Sequence, residues 1–272
     1  LKVLVSNDDG ISAPGLRCLA ERLAEESDLE VYVVAPDRER SCTGHSLTMH
    51  EPIWVDKTPN FKNVKGSWST SGNPADCVKL GVHELLPSLP DIVVAGINSV
   101  ANLGSAIIYS GTVAAAGEGA LIGIPSMAVS IVPKGNEIHY QWAADFMASF
   151  IRYVPLSKVP PHTLLNINIP DLPLSEIKGI AVTEVGKLLY AEKFEKRIDP
   201  RGRTYYWLSG IPNETSESTS TDVWAANQDQ ISITPLCFNM TDHVSLPTVT
   251  ALKETIKDLL PASKQQASKL HG

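Results

Sequence analysis

The chain has 272 residues, with 30 acidic and 23 basic side chains, a formal net charge of −7 and 43% hydrophobic content. That is a globular composition, long enough to bury a core without disulfide or metal staples. The acidic balance excludes a general binder of nucleic-acid backbones, which depends on excess positive charge. It leaves a small anionic substrate open, because a local cation outweighs the global charge. Cys18, Cys42, Cys77 and Cys237 form no C-x-x-C pair and show no zinc spacing, so buried free thiols in a reducing compartment are expected. The opening Leu-Lys-Val-Leu-Val is too short for a signal-peptide apolar region, and no later stretch approaches the ~18–20 apolar residues of a membrane span. A cytoplasmic location follows as the expectation.

Residues 3–6 are a buried-strand run. Residues 14–26 follow as a helix, in which Pro14 suits the first turn and Leu16, Leu19, Ala20 and Leu23 make one apolar face. Residues 30–35 are a second, valine-rich strand. A helix is predicted over 75–86, a third strand over 91–95, a helix over 113–122, a fourth strand over 124–131 and a helix over 143–153. This alternation of strand and helix specifies an α/β fold, a parallel sheet with helices on both faces.

The second half changes character. Residues 164–169 alternate apolar side chains with Asn166 and Asn168, and 180–185, 204–208 and 230–234 are further strand candidates. Asp199-Pro200-Arg201-Gly202-Arg203 is the turn of a hairpin. Residues 213–221, rich in Ser, Thr and Glu, are expected to be a mobile loop. An amphipathic helix is predicted over 246–260, with Val249, Leu252, Ile256 and Leu259 on one stripe, and the last dozen residues form a frayed tail. The organisation expected is one domain over 1–245, divided into a core (1–155) and a strand and hairpin segment (156–245), followed by a C-terminal helix and tail (246–272).

In open parallel sheets, ligands bind beyond the carboxyl ends of the strands. The first strand delivers Ser6-Asn7-Asp8-Asp9-Gly10 there, the second Pro36-Asp37-Arg38-Glu39-Arg40-Ser41, and the third Gly96-Ile97-Asn98-Ser99. Adjacent residues on a strand point to opposite faces, but past its end Asp8 and Asp9 are free to converge. Two close carboxylates repel, and a hard divalent cation removes that conflict. Mg²⁺ and Mn²⁺ favour oxygen donors, which makes Ser41 and Asn98 candidate neutral ligands. The alternative for the Asp pair is an N-cap or Asx turn before the next helix. Ser110-Gly111-Thr112 opens the helix at 113, where unpaired N–H groups and partial positive charge suit a phosphate; ordinary capping explains it equally. His45 and His50 are candidate general acids. The chain has no Ser–His–Asp pattern, no G-x-x-x-x-G-K-[ST] and no G-x-G-x-x-G after a strand, which argues against acyl transfer and against triphosphate or dinucleotide motifs.

These segments resemble the SurE family, the stationary-phase survival protein nucleotidases. The S-N-D-D-G at Ser6 to Gly10 is intact, followed by A-P-G at Ala13, A-P-D-R-x-R-S at Ala35, S-L-T at Ser46, D-C-V at Asp76, G-I-N at Gly96, N-L-G at Asn102 and Y-S-G-T-V-A-A-A at Tyr109. Motifs beginning at Leu165, Asp199 and Ile231 continue in the same order to about residue 245. The resemblance implies a Rossmann-like domain whose C-terminal hairpin and helix are swapped between subunits of a homodimer or homotetramer. It implies hydrolysis of nucleoside 5′- and 3′-monophosphates with one divalent cation, Mg²⁺ or Mn²⁺. Carried over by position, Asp8, Asp9, Ser41 and Asn98 hold the metal. Asn102, Ser110, Gly111 and Thr112 contact phosphate. The chain departs from the family at Val100, where glycine is common, and at Ser105 and Ala106, where acidic residues are common.

The expected chemistry is phosphomonoester hydrolysis in which Asp8 or Asp9 takes the proton of the attacking water; a phosphoryl group carried on Asp8 is the variant. The rivals are another metal-dependent phosphatase such as an exopolyphosphatase, a non-catalytic nucleotide-binding module, and a structural interaction protein.

Overall fold

A computed structural model describes residues 1–58, 61–214 and 218–256 of the protein. Residues Leu1–Phe238 form one compact unit and Asn239–Gly272 a second.

The first unit is built on a nine-stranded sheet. Its strands in chain order are β1 (Lys2–Ser6), β2 (Glu30–Pro36), β3 (Val55–Lys57), β4 (Gly66–Thr70), β5 (Ile92–Asn98), β6 (Ser126–Val132), β7 (Thr163–Pro170), β8 (Ile180–Val182) and β11 (Ile231–Cys237), and across the sheet they run β3-β4-β2-β1-β5-β6-β7-β11-β8. The run from β4 to β7 is parallel throughout, while β3 on β4 and β11 on β7 are antiparallel. Helices α1 (Pro14–Ala24) and α4 (Tyr140–Tyr153) cover one face, and α2 (Pro74–Leu80) and α3 (Gly111–Ile122) the other.

The period of the strands explains the two layers. In β1, Val3 and Val5 pack with Leu16, Leu19 and Leu23 of α1, whereas Leu4 points to Val78 of α2 and Val113 of α3. Both faces of these strands are buried, which is why they are continuous apolar runs rather than alternating ones. Helix α3 is buried almost all round, so it carries Ala and Gly where a surface helix carries charge. It ends on Gly123, left-handed at φ 92°.

Chain order also fixes where a ligand can enter. From β1 the chain turns through α1 to β2 on one side, and it reaches β5, on the other side of β1, through α2 on the opposite face. The carboxyl ends of β1 and β5 therefore diverge into a crevice, the topological switch point of a doubly wound sheet.

Several expectations are corrected. The short strands β3 and β4 and the helix α5 (Asp222–Asn227) are absent from the sequence reading. The helix expected over 75–86 ends at Leu80 and continues as a π-helical turn over Gly81–Leu85. The strand expected over 180–185 stops at Val182. The mobile loop expected over 213–221 is shortened at both ends: β10 (Thr204–Glu214) takes up its first two residues, and Thr221 caps α5 by accepting from the Trp224 N–H at 3.3 Å. Residues 218–220 lead through a turn into that cap, and 215–217 lie outside the described residues. Strand β10 pairs with β9 (Leu188–Ile198) as a separate two-stranded hairpin, 11 residues on each side, whose turn is the Asp199 to Arg203 segment. In the second unit, α6 spans Leu246–Ile256; residues 257–260 of the expected helix and the expected frayed tail lie outside the described residues. Among the described residues, no helix is long and apolar enough to cross a membrane.

Candidate functional site

At the carboxyl ends of β1 and β5 the structure sets Asp8 and Asp9 beside the loops that carry Ser41 and Asn98. Asp8 leaves β1 almost fully buried. Its backbone carbonyl accepts from the Arg40 N–H at 2.7 Å, which ties the loop after β2, and with it Ser41, to the end of β1. Its carboxylate Oδ1 accepts from the Thr112 hydroxyl at the start of α3. Burial raises the Asp8 pKa. Hydrogen bonds from Thr112's hydroxyl and from the backbone at Asp8, Thr112 and Gly111 pull it back, but burial prevails.

Asp9 is half-buried, and its pKa is pushed up to about 6, first by burial and then by the charges of Asp8 and Glu39; a backbone hydrogen bond at Ser99 acts the other way. These neighbours place Asp9 between the β1, β2 and β5 loops. Asn98, the last residue of β5, donates its amide N–H to the Val100 carbonyl at 2.6 Å, which leaves Oδ1 as the amide's remaining acceptor. The Ser41 hydroxyl is exposed and donates to Glu39 Oε1 at 2.8 Å, keeping its lone pairs open.

At α3, Ser110 is the N-cap: its hydroxyl accepts from the Val113 N–H at 3.1 Å. Thr112 is fully buried and serves Asp8. The partial positive charge of this helix start is therefore directed at a carboxylate as well as at the crevice. Asn102 is buried and bonded to polar side chains of β6 and β7. Its amide donates to Ser130 Oγ at 2.8 Å, its N–H to Asn168 Oδ1, and its carbonyl accepts from Asn166 and Asn168. These bonds fix the course of the loop from Asn98 to Ser110. The alternation of Asn166 and Asn168 in β7 is explained here: both face this loop from one side of the strand. His45 is bound to Glu118, and His50 is exposed.

Two neighbours of the aspartates were missed by sequence reasoning. Glu39 lay inside a charged run with nothing to separate it from its neighbours. Tyr140, at the start of α4, is held above its usual pKa by burial and then by the charges of Asp9, Asp171 and Cys18, so it lies close to Asp9. No pattern in the sequence links position 140 to position 9.

Among the described residues, no three His, Cys, Asp or Glu side chains cluster as a metal-binding group. The set at the crevice is of another kind: two carboxylates, one hydroxyl and one amide oxygen. It fits a hard divalent cation, because Asp8 and Asp9 are mutually repelling carboxylates in a partly dry site and every further donor offered is oxygen.

Fold and site together define a doubly wound α/β protein with a buried carboxylate at its switch point and a helix N-terminus against it. The chain belongs to the SurE family. The family described as Survival protein SurE matches residues 3–192. A Geobacter metallireducens protein named 5′-nucleotidase SurE is 46% identical over 249 residues, 92% of this chain and 96% of the relative. One of the same name from Gloeobacter violaceus is 48% identical over 242 residues, 89% of this chain and 91% of the relative. The crystal structure of the SurE protein from Aquifex aeolicus superimposes with a TM-score of 0.78 at 39% identity, covering 93% of this chain and all of that one.

Proposed function

We propose that this protein is a 5′-nucleotidase, a phosphomonoesterase that requires a divalent cation, Mg²⁺ or Mn²⁺, and hydrolyses nucleoside 5′- and 3′-monophosphates. The observation that carries the reading is the contact between the buried Asp8 carboxylate and the start of α3. It sets the anionic group best suited to a cation beside the helix end best suited to a phosphate. The relatives named 5′-nucleotidase SurE support the activity.

In this reading Asp8, Asp9, Ser41 and Asn98 hold the cation, which supplies positive charge and Lewis acidity at the phosphoryl group when bound. The Ser110 hydroxyl and the partial positive charge of the α3 start face the remaining phosphate oxygens, with Gly111 and Thr112 sharing their N–H groups between Asp8 and the phosphate and Asn102 as a further phosphate contact. Asp8, held by Thr112, has little freedom and acts as the fixed carboxylate. Asp9, less buried, takes the proton of the attacking water. Water is the nucleophile in this reading; a phosphoryl group carried on Asp8, through the Oδ2 that Thr112 leaves open, is the variant. The helix end then stabilises the charge that builds on the phosphoryl oxygens.

The test is phosphate release from a panel of nucleoside 5′- and 3′-monophosphates and from polyphosphate, with Mg²⁺, Mn²⁺, Co²⁺, Ca²⁺ or EDTA. Release from the monophosphates, lost in EDTA and in Asp8→Asn, is expected. Undiminished release by Asp8→Asn would remove the assignment, and shortening of polyphosphate with inert nucleotides would make the protein an exopolyphosphatase.

We further propose that the protein is a cytoplasmic homodimer or homotetramer in which the β9–β10 hairpin and the C-terminal helix dock on a neighbouring subunit. Among the described residues the hairpin pairs with no other strand, and it exposes Phe194, Tyr206, Trp207 and Leu208. The free state of all four cysteines agrees with a reducing compartment. Light scattering at micromolar concentration tests the assembly: a monomer would refute it, and a shift toward monomer in Tyr206→Ser/Trp207→Ser would support it.

A further inference from the structure

The loop that carries Ser41 has no regular secondary structure from residue 39 to residue 54. Its position is set by separate anchors. The Arg40 N–H donates to the Asp8 carbonyl and the Gly44 N–H to the Tyr109 carbonyl at 3.0 Å. The Thr48 N–H donates to both oxygens of Asp76, at 3.2 and 3.0 Å. One anchor runs through side chains: His45 Nε2 lies 2.9 Å from Glu118 Oε2, while Lys79 of α2 donates to Glu118 Oε1.

Glu118 is unusual for its place. It sits two turns into α3, on a helix that apart from Thr112 is made of Ala, Gly and apolar side chains, with its own side chain only 5% exposed. A buried carboxylate is costly unless paired. Burial works to raise the Glu118 pKa, but the hydrogen bonds and charges of His45 and Lys79 outweigh it and leave it below the usual value. The seat for His45 is shaped as well. The edge of the Phe238 ring meets the His45 ring at 5.1 Å between centroids. A Cβ at Gly117 would stand 2.2 Å from Phe238 Cζ and 3.4 Å from His45 Cε1, so only glycine at 117 leaves room for that pair.

We infer that Glu118, clamped by Lys79 and holding His45, is a positioning residue for cation binding: it fixes the loop that presents Ser41 to Asp8 and Asp9. The inference rests on the proposed function and deepens it. Helix α3 thereby acts at both ends of one site. Its first turn holds Asp8 through Thr112, and its third turn holds the Ser41 loop through His45. Lys79 neutralises Glu118 from α2, so removing His45 releases the loop's side-chain anchor on α3 while the core and the anchors at Arg40, Gly44 and Thr48 stay in place.

The experiment is titration calorimetry of the metal-free full chain with Mn²⁺, alongside kcat and KM for a nucleoside 5′-monophosphate at saturating Mn²⁺. His45→Ala, at a half-exposed position, and Gly117→Ala are expected to weaken Mn²⁺ binding about tenfold, the lower end of what losing a ligand-orienting partner costs. Under saturating Mn²⁺ kcat should stay within about threefold, a split that general loss of structure does not give. His45→Gln, whose amide nitrogen can reach Glu118, is expected to restore the affinity. Glu118→Gln should weaken binding as His45→Ala does, and His45→Ala decides the matter where Glu118→Gln fails to fold. Parental Mn²⁺ affinity in a folded His45→Ala, together with loss of binding in Asp8→Asn, would overturn the inference alone. Parental affinity in Asp8→Asn would overturn the site and the inference with it.

Discussion

A methyl group at position 111 would stand 2.6 Å from the Cβ of Asp8 and 2.9 Å from its Oδ2. Helix α3 therefore starts against the Asp8 side chain at a distance only glycine permits. Gly111→Ala is expected to push Asp8 and the helix start apart by a few tenths of an ångström or more, and to lower kcat/KM by about a hundredfold. The fold should survive, because the clash is local to the pocket. Phosphate-release kinetics with circular dichroism check both parts.

Thr112→Val keeps the shape of the buried side chain and removes its hydroxyl. Asp8 then loses the donor that holds down its pKa, so its ionised form becomes less favourable. Activity should fall by about 10–100-fold, as for other losses of a ligand-orienting partner. Thr112→Ser should retain most of it. A Val variant as active as the parent would show that Asp8 needs no such support.

Asp9 is destabilised by its own charge in the metal-free protein. Its folded pKa of about 6 lies above the ordinary carboxylate value of 3.8, so the stability this group contributes is present below about 4 and lost as pH rises through about 6. Asp9→Asn removes that charge. At pH 8 in EDTA the variant should be more stable than the parent by about 1 kcal/mol, a figure discounted for the solvent that reaches this side chain, or about 2 °C in Tm. It should also be inactive. Thermal denaturation with and without Mn²⁺ measures the difference, and saturating Mn²⁺ should favour the parent.

Glu118 has the opposite sign. Its folded pKa lies below 4.5, so its ionised form stabilises the protein above that value, and the contribution is lost as pH falls through the folded pKa. Glu118→Gln should cost about 2 kcal/mol at pH 7, the scale of hydrogen bonds to a charged group. The gap between variant and parent should narrow as pH falls below 4.5 and through the lowered folded pKa. Urea denaturation across pH 3 to 7 checks the trend, and a gap independent of pH would contradict it.

Much of this protein is legible from its sequence. The apolar runs that became β1, β2, β5 and β6 are buried on both faces, and such strands announce themselves as continuous Val, Ile and Ala stretches. Strand ends bearing Asp8, Asp9, Ser41 and Asn98 were legible because a parallel sheet puts its ligands at one edge. Strands β3 and β4 escaped because they lie at the sheet margin, short and largely polar, with Val55 the first residue of β3 and Trp68 the centre of β4. Helix α5 escaped because six residues carry less than two turns of period. It is held by Asp222, fully buried, whose carboxylate accepts from the N–H groups of Gly104 and Gly186, contacts made 118 and 36 residues away.

By itself the sequence determined the α/β alternation, the strand ends at which polar residues gather, and the order of motifs that marks the family, since each depends on periodicity or on neighbours along the chain. Tertiary structure alone decided which of those residues meet. That Thr112 serves Asp8, that Asn102 is taken up by Ser130 and Asn168, and that His45 closes on Glu118 are contacts between residues 104, 28, 66 and 73 positions apart. Nothing local encodes them. They arise because the crossover through α2 places β5 beside β1, which sets the start of α3 against the end of the first strand.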